Sequence, residues 1–303
     1  MKKVGFIGVG VMGHWMVNRL IEHGKDLIIY DSNRNALQPF EKSNANIANS
    51  ITEVGEVSDI VILMLPDSSI VNEVITNDNG LIHSMEKNTI IIDMSSSYAF
   101  ETQKMKAFLN KSNIRMVDAP VSGGVNGAKN GTLTIMVGGD KDDYREIESL
   151  LNCMGSQIKL IGDNGAGHAL KAINNYLSAT SMYATAEAMI LAEKLGVDPE
   201  IAIETINQCT GQSFSTHVKY PNYVLSRKFE SNFSMHLLLK DIKMAKAMAS
   251  DSQMPMLLGS TVVEIYEAAY LMGRDEQDHT EIIKFLEQLT NEKLGTKGNF
   301  SNV

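Results

Sequence analysis

The chain has 303 residues, of which 44% are hydrophobic and 21% charged; this is the balance of a globular protein, and the length suits one large domain or two ordinary ones. Its 36 acidic and 27 basic side chains leave a formal charge of -9, which argues against a nucleic-acid binder while leaving room for a small anionic ligand at a local basic site. Two cysteines, Cys153 and Cys209, exclude a disulfide scaffold and a cysteine-rich metal site, and suit the cytoplasm.

Apolar runs at residues 4–8, 27–30, 60–65, 90–92, 116–117 and 134–137 predict short strands. Amphipathic stretches such as 16–23 and 71–74 lie between them, the pattern of a parallel sheet covered on both faces. Gly5, Gly8, Gly10 and Gly13 interrupt the apolar start and no cleavage site follows, so it does not match a secretory signal. No run approaches the ~20 apolar residues of a membrane span. The character changes near residue 164. Residues 166–195 predict one long helix stopped by Gly196, and Asp198-Pro199 predicts the cap and first turn of the next. Helices are also expected at 199–207, 237–250, 255–272 and 280–290, with no strand between 165 and 292 and a loose tail. The Asp-rich turns at 140–143 and 275–278 look like solvated helix starts. The expected architecture is therefore an α/β Rossmann dinucleotide-binding domain over 1–163, an all-α domain over 164–292 joined to it by the long helix, and a flexible tail over 293–303.

Gly8-Val9-Gly10-Val11-Met12-Gly13 directly follows the first strand and opens a helix. The first glycine permits a tight turn, the second lets backbone approach a pyrophosphate and the third packs helix on strand, while the helix N-terminus favours phosphate. Asp31 follows Gly13 by 18 residues, at the end of the second strand, where an acid accepts the adenosine ribose hydroxyls. An acid there repels the extra phosphate of NADP, so NAD is the expected cofactor; Arg34 is the one residue pointing towards NADP. The third strand ends in Leu65-Pro66, beside the cofactor in such sheets. Ser95-Ser96-Ser97 ends the fourth, either as a helix cap or as hydroxyls facing the nicotinamide.

Asp118-Ala119-Pro120-Val121-Ser122-Gly123-Gly124 can expose backbone N–H groups to a carboxylate, or can be an ordinary glycine loop. On the long helix, Lys171, Asn174 and Asn175 share a face among apolar neighbours, and unpaired polar groups in such a setting are costly. Lys240-Asp241 sets another charged pair in an apolar helical stretch, as a structural ion pair or beside the cofactor. His168 lies one turn before Lys171, and a role for it as the base is disfavoured. Neither the other histidines nor the cysteines have metal-ligand spacing, so no metal is expected.

Taken together, the glycine loop, Asp118–Gly124 with Gly131-Thr132-Leu133, the segment from Gly165 to Asn175, and Lys240-Asp241 resemble the β-hydroxyacid dehydrogenase family over roughly residues 3–291. The resemblance implies a Rossmann domain, a helical second domain, and nicotinamide and substrate in a cleft between them. It implies Lys171 as the catalytic proton donor and acceptor, Asn174 and Asn175 as orienting the substrate, and Ser122, Gly123 and Gly124 as the carboxylate loop. Leu65, Pro66, Ser96 and Lys240 match cofactor-contacting positions. Homodimers or homotetramers are usual in the family. Ser97-Tyr98-Ala99-Phe100 departs from the proline the family often has after its serine run. Residues 173–183 and 255–259 are also similar to sulfolactaldehyde reductase, whose sulfonate substrate is the alternative; Ser122-Gly123-Gly124 favours a carboxylate. The expected reaction is hydride transfer between a nicotinamide and a short β-hydroxy acid or semialdehyde. Rival readings are a non-catalytic NAD(H)-binding module, which would lack the lysine and asparagine pair, and an imine reductase, in which the lysine is typically replaced.

Overall fold

In a computed structural model, which describes residues 2–274 and 277–295, the chain separates into two compact units, Met1–Lys171 and Ala172–Val303. The first holds a nine-stranded sheet. Its strands are β1 (Lys3–Ile7), β2 (Asp26–Tyr30), β3 (Asn46–Ile47), β4 (Ile60–Leu63), β5 (Ile90–Asp93), β6 (Arg115–Asp118), β7 (Val121–Ser122), β8 (Leu133–Gly138) and β9 (Gly155–Gly162). The order is β3-β2-β1-β4-β5-β6-β8-β7, with β9 also on β8. Strands β1 to β6 pair in parallel, and β6 and β7 both meet β8 antiparallel. The chain reverses outward from β1, so the ends of β1 and β4 flank a switch point where ligands bind such sheets.

Alternation explains the apolar runs. Phe6, Ile29, Ile62 and Ile92 point into one core and Ile28, Val61, Leu63 and Ile91 into another, so both faces of each central strand are buried. Helices α1 (Val11–Glu22), α2 (Ile51–Val57), α3 (Ser68–Thr76), α4 (Ala99–Leu109), α5 (Gly124–Asn130) and α6 (Lys141–Leu151) link the strands. In α1, Gly13, Met16, Val17 and Leu20 are buried at helical spacing.

The second unit is helical. Helix α7 (Ala166–Lys194) begins in the first unit and runs 29 residues, and Gly196 follows it at φ +84°, a conformation that favours glycine. Then come α8 (Pro199–Ile206), α9 (Met235–Asp251), α10 (Leu257–Ala269) and α11 (Ile282–Thr290). The Asp198 carboxylate accepts from the amides of Glu200 at 2.9 Å and Ile201 at 3.1 Å, and thereby caps α8. Their core gathers Met182, Met189, Tyr220, Leu238, Ile242, Tyr266 and Ile283.

Several expectations need correcting. The strand expected at 60–65 stops at Leu63. Strand β9 went unpredicted, because its residues alternate with exposed polar ones such as Gln157 and Lys159. A π-helix at Ser215–Leu225 carries Pro221 inside it, where the proline masks the helical pattern. Asp143 is no solvated helix start, since it is buried and pairs with Arg115 at 2.9 Å. Asp278 likewise accepts hydrogen bonds from Ser231 and Thr280. Asp275 and Glu276 of that turn, and residues 296–303 of the tail, lie outside the described residues. Among the described residues, no helix is long and apolar enough to cross a membrane.

Candidate active site

At the glycine loop the backbone itself is shaped for a ligand. Gly8 has φ +99°, and a Cβ there would fall 2.2 Å from the Met64 carbonyl oxygen. A Cβ on Gly13 would fall 2.0 Å from the Gly8 oxygen, whereas one on Gly10 would meet no atom within 4 Å. The first and third glycines are thus demanded by packing, while the second faces open space, as a cradle for a pyrophosphate requires. Gly10 is the N-cap of α1, with no side chain capping it, so the N–H groups of Val11, Met12 and Gly13 at that end are left for a ligand. Asp31 closes the arrangement. Its carboxylate accepts from the amides of Val9 at 2.7 Å and Asn33 at 2.8 Å, tying the end of β2 to the loop. The residues present fit a dinucleotide.

Arg34 is otherwise engaged. Its guanidinium donates to the carbonyls of Ala48 and Asn49, both at 2.9 Å. The serine run is also resolved in part. Ser95 Oγ accepts from the amide of Leu65 at 2.9 Å, fixing the turn into Pro66 beyond β4. Ser97 donates to Asp93 at 2.8 Å. Helix α4 starts from Tyr98 without a side-chain cap, so the run is not its cap. Ser96 is half-buried between these two buried neighbours.

Past β6, Gly123 and Gly124 take φ +128° and +60° in succession, both strained for any other residue. Both are exposed, and Ser122 before them is half-buried. The end of β6 also receives the start of α7: Asp118 Oδ1 accepts from the Gly165 amide at 2.7 Å and Oδ2 from the His168 amide at 2.9 Å. Burial pushes the Asp118 carboxyl up from its ordinary value, and the neighbouring His168 opposes the rise. Lys171, half-buried, lies one turn further along α7.

Within the second unit, buried Asn175 donates through Nδ2 to Asp241 on α9 at 2.5 Å and accepts through Oδ1 from Asn174 Nδ2 at 3.1 Å. Because a carboxylate only accepts, Asp241 fixes which end of the Asn175 amide is oxygen. Lys240 Nζ lies 3.5 Å from the other Asp241 oxygen. The pair is therefore both an ion pair and the anchor of Asn175, a role the sequence did not reveal. Sequence reasoning also missed Asp93 and Thr102, which surround His168; the signal was present in acids that end the otherwise apolar strands β5 and β6. Among the described residues, no group of three or more His, Cys, Asp or Glu is arranged to hold a metal ion.

Comparison with known proteins agrees with this geometry. A family model described as the NAD binding domain of 6-phosphogluconate dehydrogenase matches residues 3–162. A second, described as NAD-binding of NADP-dependent 3-hydroxyisobutyrate dehydrogenase, matches residues 165–286. The mitochondrial 3-hydroxyisobutyrate dehydrogenase of Homo sapiens is 35% identical over 291 residues, covering 94% of this chain and 87% of that protein. The 2-(hydroxymethyl)glutarate dehydrogenase of Eubacterium barkeri is 34% identical, covering 95% of this chain and 96% of that protein. The solved structure of Mycobacterium tuberculosis 3-hydroxyisobutyrate dehydrogenase with L-serine superposes with a TM-score of 0.88 at 30% identity, covering 94% of this chain and 99% of that one. With an NAD(P)-type cradle on its first unit and relatives matched over nearly its whole length, the chain belongs to the β-hydroxyacid dehydrogenase family.

Proposed function

We propose that the protein is an NAD-dependent dehydrogenase that moves a hydride between the nicotinamide and a short β-hydroxy acid or its semialdehyde. Residues 1–163 form the cofactor domain and 164–292 the helical one. Gly8, Val9, Gly10, Val11, Met12 and Gly13 hold the pyrophosphate, Asp31 the ribose, and Leu65, Pro66, Ser96 and Lys240 complete the cofactor site. Ser122, Gly123 and Gly124 take the substrate carboxylate, and Asn174 and Asn175 orient the rest of the substrate. The observation that carries the reading is the shared end of β6, from which the Ser122–Gly124 loop departs and to which Asp118 ties the helix bearing Lys171.

The bound nicotinamide supplies or accepts the hydride. In oxidation Lys171 Nζ takes the proton of the substrate hydroxyl; in reduction its ammonium hydrogen-bonds the carbonyl oxygen and donates the proton as the alkoxide forms. A free lysine titrates near ~10.4, so accepting a proton near neutral pH requires a site that disfavours the ammonium. NAD over NADP is supported by the Asp31 carboxylate and by the engagement of Arg34 with two carbonyls. A homodimer or homotetramer is supported by large apolar side chains left exposed on the helical unit, among them Leu195, Leu257 and Leu271. A reducing cytoplasm suits Cys209, which is exposed and unpaired.

The test is NADH oxidation with tartronate, methylmalonate and succinate semialdehydes and sulfolactaldehyde, each repeated with NADPH. A fast carboxylate substrate with NADH is expected, and a preference for sulfolactaldehyde would refute the carboxylate assignment. Lys171→Ala is expected to lose most turnover while still binding NADH. Near-normal turnover in that variant would remove Lys171 from the chemistry.

A further inference from the structure

The first unit carries a buried cluster of titratable side chains that the proposed chemistry leaves unused. Asp93 ends β5 and Asp118 ends β6, side by side in register, and both are fully buried. His168, 1% exposed, projects from the first turns of α7 towards them. Its Nδ1 lies 2.8 Å from Thr102 Oγ1 on α4 and 3.8 Å from Asp118 Oδ2. Its Nε2 lies 3.8 Å from Asp93 Oδ2 and has no hydrogen-bond partner among the described residues. Two carboxylates this close in a buried setting need polar partners, and the His168 imidazole lies near both. Ser97 Oγ donates to the same Oδ2 at 2.8 Å, and the Ser95 amide donates to Oδ1 at 3.0 Å.

The packing around the cluster has no slack. A Cβ on Gly167 would fall 2.2 Å from the Met136 carbonyl oxygen and 2.8 Å from Asp118 Oδ2, and one on Gly138 would fall 2.5 Å from Asp118 Oδ1. The same Asp118 carboxylate holds the Gly165 and His168 amides. Two stiff arms leave this point. One is β7, paired with β8 through Val121 and Ser122, which delivers the Ser122–Gly124 loop. The other is α7, which delivers Lys171.

We infer that Asp118 and His168 are positioning residues that fix the separation between the carboxylate loop and Lys171, and so select the chain length of the hydroxy acid that reacts. This rests on the roles proposed above for Ser122–Gly124 and Lys171. A γ-hydroxy acid carries one more methylene between carboxylate and reacting carbon than a β-hydroxy acid. Held by its carboxylate, it misplaces that carbon by about 1 Å, a displacement that costs about 100-fold in rate. A rigid clamp enforces the penalty, and a loosened clamp relaxes it while slowing the correct substrate.

The experiment compares kcat/KM with NAD for 3-hydroxypropionate and 4-hydroxybutyrate in the full-length wild type, His168→Met, Asp118→Asn and His168→Gln. NADH affinity and melting temperature are measured alongside. The wild type is expected to prefer the β-hydroxy acid by about 100-fold. In His168→Met and Asp118→Asn, kcat on that substrate is expected to fall about 10- to 100-fold and the preference to shrink below about tenfold, with NADH affinity within about twofold of wild type. His168→Gln, whose amide can meet both Thr102 and Asp93, is expected to return the preference towards wild type. A merely structural defect would lower both substrates equally, so variants that keep the wild-type preference overturn the inference. If neither severe variant folds, Thr102→Val, which removes only the hydroxyl at Nδ1, carries the same ratio test. A wild type active on both acids without preference overturns the inference alone. A wild type inactive on both is compared on methylmalonate and succinate semialdehydes with NADH, which carry the same ratio test, and silence there too overturns the proposed function, and the inference with it.

Discussion

Gly13 and Gly10 occupy one loop, yet alanine should affect them in opposite ways. At Gly13 the new Cβ falls 2.0 Å from the Gly8 oxygen and 3.2 Å from Phe6 Cε1. An ordinary carbon–oxygen contact needs about 3.3 Å, so α1 must retreat from β1 by roughly 1.3 Å. Overpacking costs about 1–3 kcal/mol, here the upper part of that range, about 2–3 kcal/mol, because the atom met is backbone, and alanine's better helix propensity returns about 1 kcal/mol. A net loss of about 1–2 kcal/mol lowers the melting temperature of a unit this size by about 2–8 °C. At Gly10 the Cβ meets nothing within 4 Å and φ is an ordinary -69°. Alanine there should leave stability unchanged or raise it by about 0.4–1 kcal/mol through the unfolded chain. The methyl group nevertheless fills the space where backbone meets pyrophosphate, so NADH affinity should fall at least about tenfold. Trp15, the single tryptophan, sits on α1 against the same core and reports melting of the first unit, while NADH fluorescence reports binding. Gly10→Ala with wild-type NADH affinity would refute the cradle; Gly13→Ala with an unshifted melting temperature would refute the packing argument.

Two further outcomes are expected. Asp31→Ser removes the carboxylate that opposes a 2′-phosphate and also the acceptor of the Val9 amide; both cofactors should bind less well, but the NAD-to-NADP ratio of kcat/KM should drop at least about tenfold, and an unchanged ratio would move cofactor choice elsewhere. His279 is buried, and burial together with Lys219 pushes its pKa down to about 3. The unfolded chain takes up that proton below about 6.5 while the native one does not, so stability falls with pH across that window, by about 1 kcal/mol between pH 6 and pH 5. His279→Asn should flatten the denaturation-midpoint curve over that interval by the same amount, and parallel curves would contradict a buried neutral imidazole.

Much of the fold was legible because its signals are local. The turn after β1, the acid closing β2, the 29-residue α7 and the Asp198-Pro199 start of α8 each follow from a few neighbouring residues. What escaped depends on distant ones. Strand β9 has only a half-buried alternation, and its identity as a strand comes from pairing with β8. Asp143 looks like a solvated cap until Arg115, from strand β6, is placed against it. His168 shows the same gap in the site: its sequence neighbours suggest at most a base near Lys171, whereas its environment is made by Asp93, Thr102 and Asp118 from three other elements. The polar face of Lys171, Asn174 and Asn175 was visible from helical spacing, but the partner that orients Asn175 lies 66 residues away on α9.

The sheet's outer strands bear on how the protein behaves at high concentration. An unpaired strand edge is a template for a second chain. At one end β3 is only two residues long, too short to template a neighbour. At the other, β9 is eight residues long, but its pairing with β8 is broken by irregularities near both ends, and it presents Gln157 and Lys159. A kinked edge with a lysine resists the addition of another strand. Intermolecular sheet growth is thus disfavoured at both margins.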